Sequence, residues 1–314
     1  MDTRTLLRCG VADAVLAPST HNTQPWRFTL HGASIDLCAD LSRHLRVIDP
    51  DARQLVMSCG AALYNLRVSL RAAGREDRVR TFPHVSRPEL LARVTVGADR
   101  DPSDHDRALA AAIHERHTDR GELAPRPVSH AIMSSLAAAA AAEGTTLTRL
   151  TPRAKQLVSE LIAFADRRAL STRRYRRELA RWLVPSWRKR RDGIPIARKE
   201  YRSLLGARLR GAFASLEQQR VIASPAIVVF STRDDEPASW LACGQALQAV
   251  LLTATSLGLT ASFLNQVLEV PDLRERVAAL LTPRAHPQLI LRLGFGAALP
   301  PAPRRTLGDV LDEP

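Results

Sequence analysis

The stretch APSTHNTQPW, residues 17–26, says more about fold and function than any other part of this 314-residue chain. It follows a helix-like apolar run, residues 11–16, and precedes a strand-like run, residues 27–30. Prolines and short hydroxyl side chains in such a turn expose backbone N–H groups, which suits close contact with a flat ligand that has polar edges. The stretch therefore predicts a ligand-binding loop; the alternative is an ordinary helix-to-strand turn.

A second motif, RHTDR at residues 116–120, ends a helical stretch that covers residues 108–115. Arg116 and Arg120 each offer a planar set of N–H donors, and the hydroxyl of Thr118 adds another donor between them. Donors grouped in this way suit an anion or the carbonyl edge of a heterocycle. The alternative is a charged helix end that contacts only water.

Together, the two motifs resemble those of the FMN-dependent nitroreductase family. The loop is similar to the family pattern Ala-Pro-Ser-x-x-Asn-x-Gln-Pro-Trp, and the second motif is similar to the family box Arg-[Arg/His]-[Ser/Thr]-x-[Arg/Lys] that holds FMN. The matching loop positions are Pro18, Ser19, Asn22, Gln24, Pro25 and Trp26. The resemblance implies an α/β fold (strictly α+β) of the nitroreductase type. It also implies FMN as cofactor, NAD(P)H as electron donor and a small molecule as electron acceptor.

Two later stretches extend the resemblance to a complete FMN site. Phe263, Leu264 and Asn265 lie in a stretch similar to the one whose backbone N–H groups approach N5 of the flavin. Arg304 and Arg305 match in position the basic pair that holds the FMN phosphate in relatives; the alternative is a solvated tail. The bound flavin would carry the chemistry, so no catalytic side chain is predicted. The implied FMN-binding residues are Pro18, Ser19, Thr20, Asn22, Arg116, His117, Thr118, Arg120, Phe263, Leu264, Asn265, Arg304 and Arg305.

The chain also contains two pairs of similar segments in the same order. SCGAAL at residues 58–63 matches ACGQAL at residues 242–247, and each belongs to an apolar stretch that ends at a glycine. A strand-like run at residues 88–97 matches another at residues 287–296. Matching elements in the same order predict an internal duplication, with halves at 1–104 and 105–314. The alternative is a chance similarity between alanine-rich helices.

The duplication explains why the loop precedes the arginine box, whereas relatives have the box first. Family members are homodimers whose FMN sites combine the box of one chain with the loop of the other. The resemblance therefore implies a fused pseudo-dimer, as in the Acg-like branch of the family. We expect this pseudo-dimer to act as a monomer or to associate further into a homodimer. Residues 141–146 lack the loop motif and residues 1–8 lack the box. We therefore expect one complete FMN site in each chain.

The net charge of +13 is concentrated in one segment. Residues 166–210 contain 16 Lys and Arg against 4 Asp and Glu, a local net charge of +12. They belong to an insertion, residues 157–220, in which Tyr175, Trp182, Trp187 and Tyr201 alternate with arginines. Three interpretations are open: a helical pair with a solvated basic face, a lid whose aromatic rings cover the flavin, and, less favoured, a nucleic-acid surface. We predict the lid.

Other classes of protein find little support in the sequence. No apolar run is long enough to span a bilayer, and the N-terminus shows no signal-peptide pattern. The four cysteines are far apart, which is typical of reduced thiols in a cytoplasmic protein. His114 and His117 are spaced i to i+3, so they do not form a zinc motif, and no metal site is predicted. The remaining functional alternative is a protein that binds or sequesters flavin without turnover.

Overall fold

A computed structural model describes residues 1–119, 121–185, 188–196, 218–297 and 302–313. The strands are β1 (Trp26–His31), β2 (Ser34–Ala39), β3 (Arg75–Thr81), β4 (Leu90–Asp99), β5 (Thr146–Arg149), β6 (Leu183–Pro185), β7 (Ile194–Ile196), β8 (Ala226–Thr232), β9 (Thr260–Phe263), β10 (His286–Gly294) and β11 (Leu311–Asp312). The α-helices are α1 (Thr3–Ala14), α2 (Arg53–Ala72), α3 (Asp104–Glu115), α4 (His130–Ala142), α5 (Pro152–Ser171), α6 (Arg173–Trp182), α7 (Pro237–Ser256), α8 (Pro271–Ala278) and α9 (Leu307–Val310).

Two sheets of the same topology form the centre of the fold. The first has the strand order β11-β1-β2-β4-β3, and the second has the order β5-β8-β10-β9. Within each set of four, β1-β2-β4-β3 and β5-β8-β10-β9, all neighbours are antiparallel. In both sheets the long helix, α2 or α7, lies between the second and third strands of the chain. This arrangement confirms the predicted α+β fold class.

The long helices α2 and α7 pack against each other through two glycines. A Cβ atom on Gly60 would lie 2.3 Å from the carbonyl oxygen of Leu241, and one on Gly244 would lie 2.1 Å from that of Met57. The contact is reciprocal, because each glycine lies against the backbone of the residue three positions before the other glycine. Only a residue without a side chain allows two helix backbones to approach so closely. The contact joins the two sheets into one structure.

The reciprocal contact lies in the segments that the sequence matched as repeats. The other matched pair, β4 and β10, occupies the third position in each set of four antiparallel strands, β1-β2-β4-β3 and β5-β8-β10-β9. These observations support the internal duplication, which itself stays a prediction. The predicted boundary at residue 104 separates the strands of the two sheets with one exception. Strand β11, near the end of the chain, runs parallel to β1 and pairs Leu311 with Phe28, so the second half completes the sheet of the first.

The basic insertion begins with α5 and α6, which differ in burial. Helix α5 buries Val158, Leu161 and Ile162 in a core that also contains Leu264. Helix α6 has no fully buried residue, although Tyr175 is partly buried, and the carboxylate of Glu178 accepts hydrogen bonds from backbone N–H groups in the segment before α2. The predicted lid residues Trp187 and Tyr201 lie outside the described residues. In the part of the chain that the structure describes, no helix is both long and apolar enough to cross a membrane.

Candidate functional site

The predicted loop leaves α1 and passes through a short 3₁₀ turn, Thr20–Asn22, before β1. His21, Asn22 and Gln24 have φ angles of 51°, 54° and 50°, a left-handed conformation that residues other than glycine rarely adopt. The hydroxyl of Ser19 accepts a hydrogen bond of 2.9 Å from the N–H of Gln24 and closes the turn. Several left-handed residues in one short loop indicate strain of the kind that clusters at binding sites.

Two distant segments hold this loop in place. The Nδ2 atom of Asn22 donates to the carbonyl oxygens of Gly193, at 3.2 Å, and Pro303, at 3.1 Å. The backbone oxygen of Asn22 accepts from the N–H of Gly193 at 3.1 Å. The buried side chain of Gln24 donates to the carbonyl oxygen of Arg191 at 2.8 Å. Residues 188–196, which we call the strap, therefore lie on the loop together with the C-terminal tail.

An ion pair and two ring contacts fix the strap on its outer side. Asp192 pairs with Arg43, and it also pairs with Arg190 at 2.8 Å. The guanidinium carbons of Arg43 and Arg190 lie 5.5 Å and 5.6 Å from the ring centre of Trp182, at the end of α6. Cations at this distance from an indole ring are attracted to its π face. Trp182 therefore binds the strap to α6.

Two arginines, Arg116, which is buried, and Arg304, which is half-buried, meet behind the loop. Arg116, directly after α3, is only 5% exposed, and its Nη2 atom donates to the carbonyl oxygen of Leu16 at 3.2 Å. The Nη2 atom of Arg304 donates to the same oxygen at 3.2 Å. Burial, and next the charge of Arg304, lowers the pKa of Arg116 to about 9. Burial lowers the pKa of Arg304 to about 10.

These two guanidinium groups have donors that nothing in the described residues satisfies. The Nε and Nη1 atoms of Arg116 and the Nε atom of Arg304 are buried without a hydrogen-bond partner there. The described carboxylates likewise form no ion pair with either arginine. A buried cation without a counter-charge is unfavourable, and unsatisfied N–H donors add to that cost. The arrangement is suited to an anion with several oxygen atoms, such as a phosphate.

The remaining tail and box residues have mainly structural contacts. The Nη1 atom of Arg305 donates to the carbonyl oxygen of Gln24 at 3.1 Å, and its backbone N–H donates to Oε1 of Gln24 at 2.8 Å. His117 contacts the carbonyl oxygen of Glu115 through Nδ1 at 2.6 Å. Thr118 forms a parallel β-bridge with Ala261 of β9. Arg120 lies outside the described residues.

Part of the stretch that is predicted to face N5 of the flavin is hydrogen-bonded to the neighbouring strand and packed in the core. The backbone N–H of Leu264 donates to the carbonyl oxygen of Ile290 at 2.9 Å, and the Leu264 side chain is fully buried. The Oδ1 atom of Asn265 accepts from the N–H of Ile290 at 3.0 Å. The structure therefore leaves the amide of Leu264 no free proton for a ligand, because β10 already accepts it. Phe263 is the last residue of β9, and its side chain is half-buried.

Sequence reasoning missed three polar residues next to the loop. The hydroxyl of Thr20 donates to Oε1 of Gln54 at 3.0 Å, and its backbone N–H approaches the hydroxyl of Ser58 at 3.4 Å. The Nε2 atom of Gln54 donates to Oε1 of Glu269 at 3.3 Å. Gln54 and Ser58 are spaced i to i+4 on a helix that is otherwise mostly apolar, which is a detectable signal. Nothing in the local sequence marks Glu269.

A metal site, an open cleft and reactive thiols are the other kinds of site that this chain could offer. Among the described residues, no group of three or more His, Cys, Asp or Glu is placed to hold a metal ion. An open cleft of about 590 Å³ lies at one end of the second sheet, between Thr146, Ser231 and the segment 282–286. None of the predicted site residues lines that cleft. The buried Cys59 and Cys243 have pKa values raised by burial, which disfavours a thiolate role.

The chain was then compared with known proteins. A sequence model described as "Nitroreductase family" matches residues 113–295, more than half of the chain. The chain belongs to the nitroreductase family. Family membership makes it a nitroreductase-type oxidoreductase, as the loop and box motifs predicted.

Two relatives from Mycobacterium tuberculosis cover nearly the whole chain. The protein named "Putative NAD(P)H nitroreductase Rv3131" is 35% identical over 313 residues, which is 96% of this chain and 89% of the relative. The protein named "Putative NAD(P)H nitroreductase acg" is 32% identical over 327 residues, 99% of this chain and 96% of the relative. Among solved structures, the FMN-dependent nitroreductase NfnB from Mycobacterium smegmatis in complex with NADPH is 14% identical, with a TM-score of 0.44. The match covers 66% of this chain and 97% of that chain.

Proposed function

We propose that this chain is an FMN-dependent oxidoreductase that uses NAD(P)H to reduce a small electron acceptor. One observation carries the proposal. Arg116 and Arg304 are both charged, largely buried and without a described counter-ion, and they meet at the loop that resembles the FMN loop of the family. The free donors are Nε and Nη1 of Arg116 and Nε of Arg304, and they match the oxygen-rich phosphate of FMN in charge and in hydrogen-bonding capacity.

The other residues of the site fit a flavin nucleotide. Pro18 is buried, while Ser19, Thr20 and Asn22 are partly exposed on the loop beside the two arginines. Bound FMN would supply the redox chemistry, accepting a hydride from NAD(P)H and passing electrons to the acceptor. The chain would anchor the phosphate with Arg116 and Arg304, orient the nucleotide with loop hydroxyls and limit the access of water.

The strap supports the proposed lid. It contacts the loop through Asn22 and Gln24 and is joined to α6 through Trp182. The arginines of α6, in contrast, are exposed, as a solvated basic face requires. Both features belong to the basic insertion, so we propose that the strap restricts access while the arginines of α6 stay in water.

The second candidate is a protein that holds flavin without turnover. The strap favours it, because the Asn22 and Gln24 side chains are bonded to backbone groups of other segments rather than left free for a ligand. A closed strap would bind flavin tightly and slow its reaction with bulky acceptors. Turnover separates the two candidates: an enzyme is reduced by NAD(P)H and reoxidised by an acceptor in repeated cycles.

The test begins with the visible spectrum of the purified protein. We expect flavin absorbance with one FMN per chain, since the chain has one loop and one arginine box, and bleaching by NADH or NADPH without oxygen. Steady turnover with a small quinone or nitro compound supports the enzyme, and bound flavin that is never reduced supports the alternative. A ratio near two would show that a second site also works. Failure to bind FMN after reconstitution would overturn both candidates. Light scattering of the same sample would distinguish a monomeric pseudo-dimer from a further homodimer.

A further inference from the structure

A short chain of hydrogen bonds connects the loop to a carboxyl group inside the protein. The hydroxyl of Thr20 donates to Oε1 of Gln54, and Nε2 of Gln54 donates to Oε1 of Glu269. All three side chains are partly or fully shielded from solvent. The direction of the chain is consistent from end to end: each group donates toward Glu269. A carboxylate can only accept hydrogen bonds, so an ionised Glu269 dictates this direction.

The surroundings of Glu269 influence the pKa of its carboxyl group in opposite directions. Burial is the main influence and raises the pKa of Glu269 to about 7. The hydrogen bond from Gln54 and the charge of Arg53 act in the opposite sense, while Asp166 and Asp49 add to the rise. Neutral pH is therefore where this group changes its protonation state.

Other charged groups around the turn Asn265–Glu269 are either committed to partners or uncharged near neutrality. On α8, Arg274 pairs with Asp235 at 2.7 Å, and Asp272 pairs with Arg168 at the surface. On α6, the pKa of Tyr175 is raised well above its ordinary value, mainly by burial, so the phenol is neutral. Before α2, the carboxylate of Asp49 accepts from the backbone N–H groups of Gln54 and Leu55, at 3.0 Å and 2.9 Å. Among the described residues, Glu269 is thus the ionisable group that is hydrogen-bonded to the side chain of Gln54.

We propose that Glu269, acting through Gln54, determines whether the hydroxyl of Thr20 accepts or donates a hydrogen bond toward the ligand held by the loop. This inference rests on the proposed FMN site. With Glu269 ionised, the Thr20 proton points to Gln54, and only oxygen lone pairs of the hydroxyl face the ligand. With Glu269 protonated, its O–H donates to Oε1 of Gln54, so the amide reverses. Nε2 of Gln54 then donates to Thr20, whose proton is released toward the ligand.

The residue types suit this role. A glutamine amide carries a donor and an acceptor of nearly the same shape on one carbon, so reversal exchanges them without moving the helix. The proton that Glu269 binds comes from solvent, and no covalent bond changes. A hydroxyl that donates rather than accepts stabilises negative charge on the ligand, and one additional hydrogen bond changes affinity about three- to tenfold. Glu269 and Gln54 are therefore positioning residues, because they act through Thr20.

The experiment measures FMN affinity from pH 5.5 to 8.5 by quenching of flavin fluorescence. In the wild-type protein, the ratio of FMN affinity below pH 7 to FMN affinity above pH 7 should be about three to ten times the same ratio in Glu269→Gln. We call this difference the pH step. Glu269→Gln, Gln54→Leu and Thr20→Val should each remove this step, and combining the first two should remove nothing more. The FMN phosphate also titrates near pH 6, but it does so equally in every variant and cancels in the comparison.

Glu178→Gln is the matched control. This carboxylate is also partly buried, but it accepts from backbone N–H groups of Val47 and Ile48 and has no bond to Gln54. Its replacement should leave the step in place, and thermal melting confirms that each variant is folded. The inference is overturned if Glu269→Gln keeps the wild-type pH dependence of FMN affinity. It is also overturned if Glu269→Gln loses this dependence but Gln54→Leu keeps it. Either result would leave the proposed FMN site intact. No FMN binding at any pH overturns the proposed function as well.

Discussion

The loops before β1 and before β5 occupy equivalent places in the two sheets, yet they differ in every other respect. The first runs from Val15 to Pro25 and has three left-handed residues other than glycine. The second consists of residues 143–145 only, with its left-handed position taken by Gly144 at φ 71°. Glu143 of the short loop is bonded to Arg67 of α2 at 2.7 Å, which ties it to the central helices.

In the two predicted halves, the packing of the long helices is alike, whereas the loops that precede the first strands are not. The glycine contacts of α2 and α7 are reciprocal, because a buried helix pair tolerates little change in packing. Loops at the surface have no such constraint, so one can lengthen and take up ligand-binding residues while the other shortens. The matched arginines of β4 and β10 also differ in their partners. Arg93 pairs with Asp36 at 2.6 Å, whereas the buried Arg292 donates to the carbonyl oxygens of Asp119 and Gly121.

The largest effect should come from the shared core. Gly60→Ala and Gly244→Ala each place a Cβ atom within 2.3 Å of a backbone oxygen, so each should lower the free energy of unfolding by about 3 kcal/mol or more. Urea denaturation measures the loss. Gly308→Ala is the control, because an added Cβ there has no atom within 4 Å. If only one of the two helix variants is destabilised, the packing of the two halves is not equivalent.

The next effect concerns the single site. Arg116→Ala should weaken FMN binding about tenfold to a hundredfold, since charge-assisted hydrogen bonds to the phosphate contribute about 1.5–3 kcal/mol. Arg304→Ala should have a similar effect, and flavin fluorescence titration measures both. Arg107→Ala is the control, because that arginine is on α3 as well but is 57% exposed and pairs with Asp104. Unchanged flavin retention in both test variants would show that the anion site lies elsewhere.

A smaller effect should follow from loosening the strap. Asp192→Asn removes the ion pairs with Arg43 and Arg190, which contribute about 1 kcal/mol in a partly shielded position. Exchange of bound FMN, and its bleaching by NAD(P)H, should become a few times faster. Stopped-flow absorbance measures the bleaching. Asp272→Asn, which breaks the exposed pair with Arg168, serves as the control and should leave both rates as they are. Equal rates in both variants would argue against a gating strap.

The last effect concerns stability in acid rather than ligand binding, and it is a pH dependence at the start of α3, which leads from the first half to Arg116. Hydrogen bonds from Ser103 and Arg100 outweigh burial and lower the pKa of Asp106 from 3.8 to about 2. Because the folded-state pKa lies below the ordinary one, the ionised carboxylate stabilises the fold above pH 4, and this stabilisation is lost as the pH falls to 2. Asp106→Asn should remove this part of the acid dependence, measured by urea midpoints between pH 2 and 5. Parallel curves for the two proteins would contradict the assignment.

Interactions between residues close along the chain leave patterns in the sequence, whereas interactions between distant segments do not. The loop, the arginine box and the basic tail carry recognisable local patterns, and the structure brings Arg116, Arg304 and the loop together at the carbonyl of Leu16. The role of Leu264 at the flavin stays a prediction, but its amide donates to Ile290, a partner that local sequence does not reveal. Gln54 and Glu269 were missed for the same reason, since they lie 215 positions apart and meet only in the folded chain.

Local sequence was enough to predict the family, the fold class, the similarity of the two glycine-containing helices and the concentration of positive charge in one segment. These features depend on residue type and local periodicity, which can be read along the chain. The folded structure was needed to identify the arginines without described partners, the polar groups that are already satisfied and the position of the strap. Burial and hydrogen bonding decide those properties, and both depend on residues that are far apart in sequence and close in space. A guanidinium group is the same at Arg93 and at Arg116; the neighbours that the fold provides make one an ion pair and the other a candidate anion site.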